Sequence, residues 1–309
     1  PPAVKVGEAG GHVTVSTQGI SAKVDARTGR VSFFDAAGKP LLAERARTFE
    51  ATEFEGTPYF SIRQRFESPD DEAFYGTGLH QQGWMNLKGR DVELLQHNID
   101  KAIPYLVSTR HYGILWDSNA ITRYGDPRGL QPLGASLDLF DAQGRPGALT
   151  ARYTVNGRQV VERRESEVNY QYIKDLANFP EKGKNLATGG RSEVVWEGEI
   201  AARSDGRHTF SLYNSEYAKL YIDGKLVLDR WRQNWNPWHH EFALDMKAGQ
   251  RHTVKLEWDR IEPAYVALLH RDPLPADEAK DLSIWSEAAH AIDYYVVAGD
   301  DADQVLAGY

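Results

Sequence analysis

The sequence predicts an all-β protein, and three observations carry that reading. Turn-forming dipeptides separate short runs in which apolar and polar residues alternate. Helical periodicity over any long stretch is nearly absent. Eight Trp, fifteen Tyr and eleven Phe supply large rings that suit strands and fill β cores. At 309 residues the chain exceeds one ordinary core, so two β-rich units are expected.

Taken in order, the first hairpin is expected at Thr28-Gly29, between residues 20–24 and 31–34. Further hairpins are expected at Asn156-Gly157, Asp205-Gly206 and Asp223-Gly224, because Asn-Gly and Asp-Gly turns match the twist of paired strands. Around the last of these, Leu220, Ile222, Leu226 and Leu228 alternate with Tyr221, Lys225 and Val227. Val254, Leu256 and Trp258 alternate with charged neighbours in the same way. Both patterns describe half-buried antiparallel strands. Residues 282–285 and 292–297 read as strands again. Asp300, Asp301 and Asp303 then precede Val305 and Leu306, an acidic first turn suited to a helix N-terminus. About two turns of isolated helix are marginal in water, so the helix is expected to continue in a longer polypeptide.

Boundaries are expected near Val168 and near residues 273–275. The resulting order is a β-sandwich over 1–167, an inserted module over 168–275, return strands of the sandwich over 276–299 and the start of a linker helix over 300–309.

Composition narrows the function. A content of 41% hydrophobic and 26% charged residues describes a globular protein. No apolar run approaches ~18 residues, so no transmembrane segment is expected. A net charge of −8 argues against nucleic acid, since a phosphate-binding surface needs clustered Lys and Arg. The chain opens Pro1-Pro2-Ala3-Val4 without a basic-then-apolar leader, so any signal peptide is expected to lie outside it. Cysteine is absent, which excludes disulfides, thiolate metal sites and cysteine nucleophiles.

Catalytic chemistry is not legible. Glycoside hydrolysis uses two carboxyls, ~5 Å apart for retention or ~6.5–9.5 Å for inversion. Asp117 follows the apolar run 113–116 and Asp223 forms a turn, so both read as structural. His239 and His240 are adjacent, and neighbours on a strand point to opposite faces, so they do not chelate together. His80, His97 and His111 lack a spaced partner. No GxSxG elbow, HExxH helix or phosphate-binding glycine loop occurs. No catalytic residue, metal ligand or cofactor is assigned.

The runs Phe74-Tyr75-Gly76-Thr77-Gly78-Leu79-His80-Gln81-Gln82-Gly83 and Asn86-Leu87-Lys88-Gly89 resemble the N-terminal, galactose-mutarotase-like β-sandwich of glycoside hydrolase family 31. So do residues 103–110 and 112–117, and residues 292–299 resemble the strand that leads to the family's catalytic (β/α)8 barrel. Within the insert, Trp196-Glu197-Gly198-Glu199-Ile200, Gly206-Arg207-His208-Thr209-Phe210 and Leu220-Tyr221-Ile222-Asp223-Gly224-Lys225-Leu226-Val227 resemble the protective-antigen-type β-module. Sugar-binding relatives of that module carry a paired-aspartate calcium turn. Here the position reads Asn214-Ser215-Glu216-Tyr217, so calcium-dependent sugar binding is not expected.

Such a module inside the first domain of family 31 resembles α-xylosidases acting on xyloglucan oligosaccharides. The resemblance implies a retaining enzyme without cofactor, with an Asp nucleophile and an Asp acid/base in a barrel after Tyr309. This section would then be the non-catalytic front, partnered by xyloglucan oligosaccharides and by the barrel of the same polypeptide, in a periplasmic, cell-envelope or extracellular setting. The alternatives are an α-glucosidase of the same family and a stand-alone glycan-binding or adhesin-like β protein.

The resemblance also brings the loop 96–100 over the active-site mouth, where Asn98 and Asp100 would meet sugar hydroxyls. Capping of a local turn is an equally good account of both residues. In the insert, residues 231–238 hold Trp231, Trp235 and Trp238, interrupted by Asn236-Pro237. One or two of these indoles are expected in the core, and the most exposed would form a sugar platform, with Tyr217 beside it.

Overall fold

A computed structural model of the chain describes residues 3–96, 100–172, 192–260 and 264–309. It divides into two compact units: Pro1–Pro127 with Leu274–Tyr309, and Arg128–Pro273. Both are built from antiparallel strands, so the all-β expectation holds.

In the first unit the described strands form a nine-stranded and a four-stranded sheet. The larger runs from Lys5–Ala9 through the long hairpin Pro40–Phe54 and Thr57–Phe66 to Leu282–Ala289, Thr122–Tyr124 and Val92–Leu94. The smaller orders Tyr294–Ala298, Tyr112–Trp116, Lys101–Ser108 and Phe74–Leu79. Alternation puts Ile62, Phe66, Leu106, Ile114, Trp116 and Ile284 into one apolar cluster. The late strands complete both sheets: Leu282 pairs Phe66, and Tyr294 pairs Trp116. Trp116 Nε1 donates to Ser286 Oγ at 2.9 Å, closing the polar end of a buried indole.

The Phe74–Leu79 strand carries the family-like glycines for a steric reason. Gly76, Thr77 and Gly78 all have positive φ, at 110°, 63° and 104°. A Cβ on Gly78 would lie 1.7 Å from the Lys101 carbonyl oxygen. Only glycine lets the bulged strand approach its neighbour this closely.

The terminal helix Ala302–Ala307 starts as its acidic residues suggest, with the Asp301 side chain accepting from the Gln304 amide. Packing stabilises it further. Val305 is buried, and the Tyr105 hydroxyl donates to its carbonyl at 2.7 Å. Gly113 leaves the space that the Tyr105 ring crosses, since a Cβ there would be 2.1 Å from that hydroxyl.

The second unit also has two sheets. One contains Gly206–Asn214 between Trp238–Met246 and Val266–Arg271, with Gln131–Pro132 and Val168–Tyr170 on the far side of the last. The other orders Arg158–Glu165, Leu149–Val155, Ser192–Ala202, Arg251–Arg260, Glu216–Ile222 and Lys225–Arg232, with Leu137–Asp141 also on Ser192–Ala202. Phe210 and Leu212 from the first join Trp196, Leu256 and Trp258 from the second in one core. Glu165 is enclosed there, accepting from Trp196 Nε1 at 2.8 Å and Arg163 Nε at 2.6 Å. A buried carboxylate without such donors would be costly.

Three sequence expectations shift. The unit begins at Arg128, not near Val168: residues 137–165 contribute strands that pair with Ser192–Ala202. The second boundary, expected near residues 273–275, falls at Pro273. Asp205-Gly206 is not a hairpin turn, because the strands on either side belong to different sheets. Asp205 instead ties the crossing to Ala248 N and Lys247 Nζ, and Gly206 gives room to Pro273. Asn156-Gly157 and Asp223-Gly224 do turn hairpins, with both residues of each at positive φ. A bulge between Leu220 and Tyr221 then breaks the alternation of the partner strand, so Leu228 is buried while Leu226 is exposed.

Candidate functional site

The strand Glu216–Ile222 places Tyr217 opposite Trp231 of Lys225–Arg232, an edge strand of its sheet. Their centroids are 6.1 Å apart with planes inclined by 42°, and the rings remain 55% and 48% exposed. The inward neighbours Ala218 and Leu220 are buried, so period-2 alternation sends both rings outward. Trp235 follows in a turn closed by Asn236 N donating to Gln233 O, and it is 75% exposed. Trp238 starts the next strand and is half-buried. These large rings give the edge a flat apolar surface open to solvent.

Residues 214–216 lead into the strand Glu216–Ile222. Asn214 and Ser215 are fully buried, Asn214 Nδ2 donates to the Glu216 carbonyl at 2.8 Å, and the Ser215 carbonyl accepts from Trp258 Nε1 at 2.8 Å. Glu216 takes φ 57°, and burial, with Asp259 nearby, pushes its carboxyl above the usual range.

In the first unit Asp100 is buried just before strand Lys101–Ser108. One carboxylate oxygen has no hydrogen-bond partner among the described residues. Asn98 lies outside the described residues. Asp100 and the aromatic group thus sit in different units; Tyr217 and Trp231 are the site residues brought into contact.

Other buried carboxylates have structural partners. Glu72 accepts from Ser68 at 2.8 Å and Tyr112 at 2.6 Å, and Glu44 from Tyr294 at 2.8 Å. Asp141 is held below the ordinary carboxylate range against its burial by the Arg145 amide and guanidinium and the Gln143 amide. His239 Nδ1 meets Ser211 Oγ at 3.0 Å, and the pKa of His240 is lowered by burial first and then by Arg230, Arg232 and His239. Sequence reasoning did miss one group: His208 and His270, fully buried and in contact although 62 positions apart. No local spacing could reveal a pair joined only by sheet register.

These features define a β-sandwich domain carrying a second β-sandwich module with an exposed aromatic edge. Residues 1–124 match the glycosyl hydrolase 31 N-terminal galactose mutarotase-like domain, and residues 145–268 match the PA14 domain. The crystal structure of a GH31 α-xylosidase from Xanthomonas citri superposes with a TM-score of 0.95 at 63% identity, over 99% of this chain and 34% of that one. An α-xylosidase from Saccharolobus solfataricus is 29% identical over 118 residues, 35% of this chain and 16% of that protein. An uncharacterised family 31 glucosidase from Pseudescherichia vulneris is 30% identical over 132 residues, 35% of this chain and 25% of that protein. The chain thus combines a match to the glycosyl hydrolase 31 N-terminal galactose mutarotase-like domain with a match to the PA14 domain, and over nearly its whole length it is similar to part of a GH31 α-xylosidase. It spans about a third of the length of the X. citri enzyme and a quarter or less of the curated relatives.

Proposed function

We propose that this chain is the front section of a retaining α-xylosidase that releases xylose from the non-reducing end of xyloglucan oligosaccharides. The observation that carries the reading is the likeness to the X. citri α-xylosidase over nearly the whole chain. The catalytic carboxylates then belong to a barrel of the same polypeptide. The front section helps form the active-site mouth through Asp100 and the adjoining loop with Asn98. Tyr217, Trp231 and Trp235 extend binding to the distal part of long glycans, and Trp238 supports that edge from its half-buried position. A large enzyme acting on polysaccharide fragments fits a periplasmic, cell-envelope or extracellular location.

The test uses an aryl α-xyloside. The full-length protein should release nitrophenol, and residues 1–309 alone should not exceed the blank. Turnover by the shorter chain would refute the division of labour. A full-length enzyme that prefers an aryl α-glucoside would favour the second reading, an α-glucosidase, to which the P. vulneris relative lends weight.

A further inference from the structure

In the second unit Gly206–Asn214 and Val266–Arg271 are sheet neighbours, with Phe210 opposite His270. Continuing that register by two residues brings His208 opposite Asp272, so His208, His270 and Asp272 fall on one face. His208 Nδ1 lies 2.9 Å from His270 Nε2 and 3.7 Å from Asp272 Oδ1. The imidazole planes differ by 19° with centroids 5.1 Å apart, so the rings meet edge to edge and their nitrogens face each other in the ring plane.

Hydrogen bonding sets the tautomers. His208 Nε2 is 2.9 Å from the Ser204 carbonyl, which can only accept. The proton of the neutral ring is therefore on Nε2, and the Nδ1 lone pair points at the cluster. Asp272 Oδ1 faces that lone pair and, although buried, has no hydrogen-bond partner among the described residues. A carboxylate oxygen opposite an imidazole lone pair is unfavourable unless a cation lies between them. His270 Nδ1 meets Ser136 Oγ at 2.7 Å. A hydroxyl can donate or accept, so Ser136 tolerates either tautomer of His270.

We propose that His208 Nδ1, His270 Nε2 and Asp272 Oδ1 bind a divalent transition cation of the zinc class. These three atoms lie within 4.8 Å of one another. Two imidazoles and one carboxylate suit zinc or its neighbours better than calcium, which takes oxygen ligands. Zinc–nitrogen bonds of about 2.1 Å in a tetrahedral site need the two nitrogens roughly 3.4 Å apart, a small opening of the present contact. On binding, the His270 proton leaves Nε2 and the ring carries it on Nδ1, donating to Ser136 Oγ, so no proton is lost overall. Ser204 and Ser136 then orient the two ligating rings, as outer-shell partners of metal-bound histidines commonly do. Half-exposed Asp272 gives the ion its entry path. The ion would join the start of one strand to the residue before Pro273, where the chain leaves the unit.

The test strips the full polypeptide with a chelator and titrates Zn²⁺ alone by calorimetry, with Co²⁺ absorption reporting ligand geometry. The wild type should bind one equivalent that D272N binds at least about tenfold more weakly, and whose four-coordinate Co²⁺ band disappears in H270Q. Zn²⁺ should raise the melting temperature of the wild type and not that of D272N, which alters no packed side chain and keeps the fold. H252Q, removing the histidine beside Asp223, should retain the equivalent. Equal Zn²⁺ affinity in the wild type and D272N, or no saturable equivalent in either, overturns the site and leaves a hydrogen-bonded imidazole pair.

Discussion

Tyr217 and Trp231 are cross-strand partners whose rings both face solvent, at a centroid distance of 6.1 Å. Cross-strand aromatic pairs stabilise a sheet by up to about 1 kcal/mol, but these rings are half exposed. On the proposed function the pair would meet the distal part of a long glycan. Trp231→Ala or Trp235→Ala in the full-length enzyme should lower kcat/KM on xyloglucan oligosaccharides by roughly 1 kcal/mol, about fivefold, and leave a small aryl α-xyloside untouched. Equal losses on both substrates, with a reduced Tm, would make the ring structural. Trp238→Ala is the contrast: half-buried, it should lower Tm before it alters specificity.

Asp100 presents a buried oxygen without a partner among the described residues. If substrate completes that bond, Asp100→Ala should reduce kcat/KM on oligosaccharides by about 1–3 kcal/mol in the full-length enzyme. An unchanged value on a natural oligosaccharide would place Asp100 away from the sugar.

Gly78→Ala tests how the neighbouring strand is held. The added methyl meets the Lys101 carbonyl, and the backbone has φ 104°, so the strands must separate. A loss of roughly 2–3 kcal/mol in chemical unfolding is expected. Wild-type stability in this variant would mean that the bulge relaxes freely.

The His240 ring has its pKa lowered to about 4, by burial first and then by Arg230, Arg232 and His239. Unfolded, it titrates near 6.5, so between these values the unfolded chain binds more protons and stability rises with pH. Acidifying from pH 6.5 to 4.5 should therefore cost the wild type on the order of 2 kcal/mol more than His240→Gln. Parallel stability–pH curves for the two proteins would remove His240 from the account.

Much of this architecture was legible along the chain. The Asn156-Gly157 and Asp223-Gly224 turns, the alternation of Val254, Leu256 and Trp258, and the acidic start of the last helix act through neighbours in sequence, and local sterics and hydrogen bonding suffice to read them. The clustering of Trp231, Trp235 and Trp238 was equally plain, but not which rings stay in solvent. That depended on the register of Tyr217 with Trp231 and on the turn at residues 233–236.

The sequence by itself determined the all-β class, most hairpins and the family resemblance, because each rests on contacts between residues a few positions apart. Tertiary structure alone decided that the second unit starts at Arg128, that Asp205-Gly206 crosses between sheets, and that a bulge turns Leu226 outward. It also joined His208 to His270 and enclosed Glu165 beneath Trp196. A side-chain period of two means that a one-residue change of register reverses every face, and register is set by strands that can be a hundred residues apart.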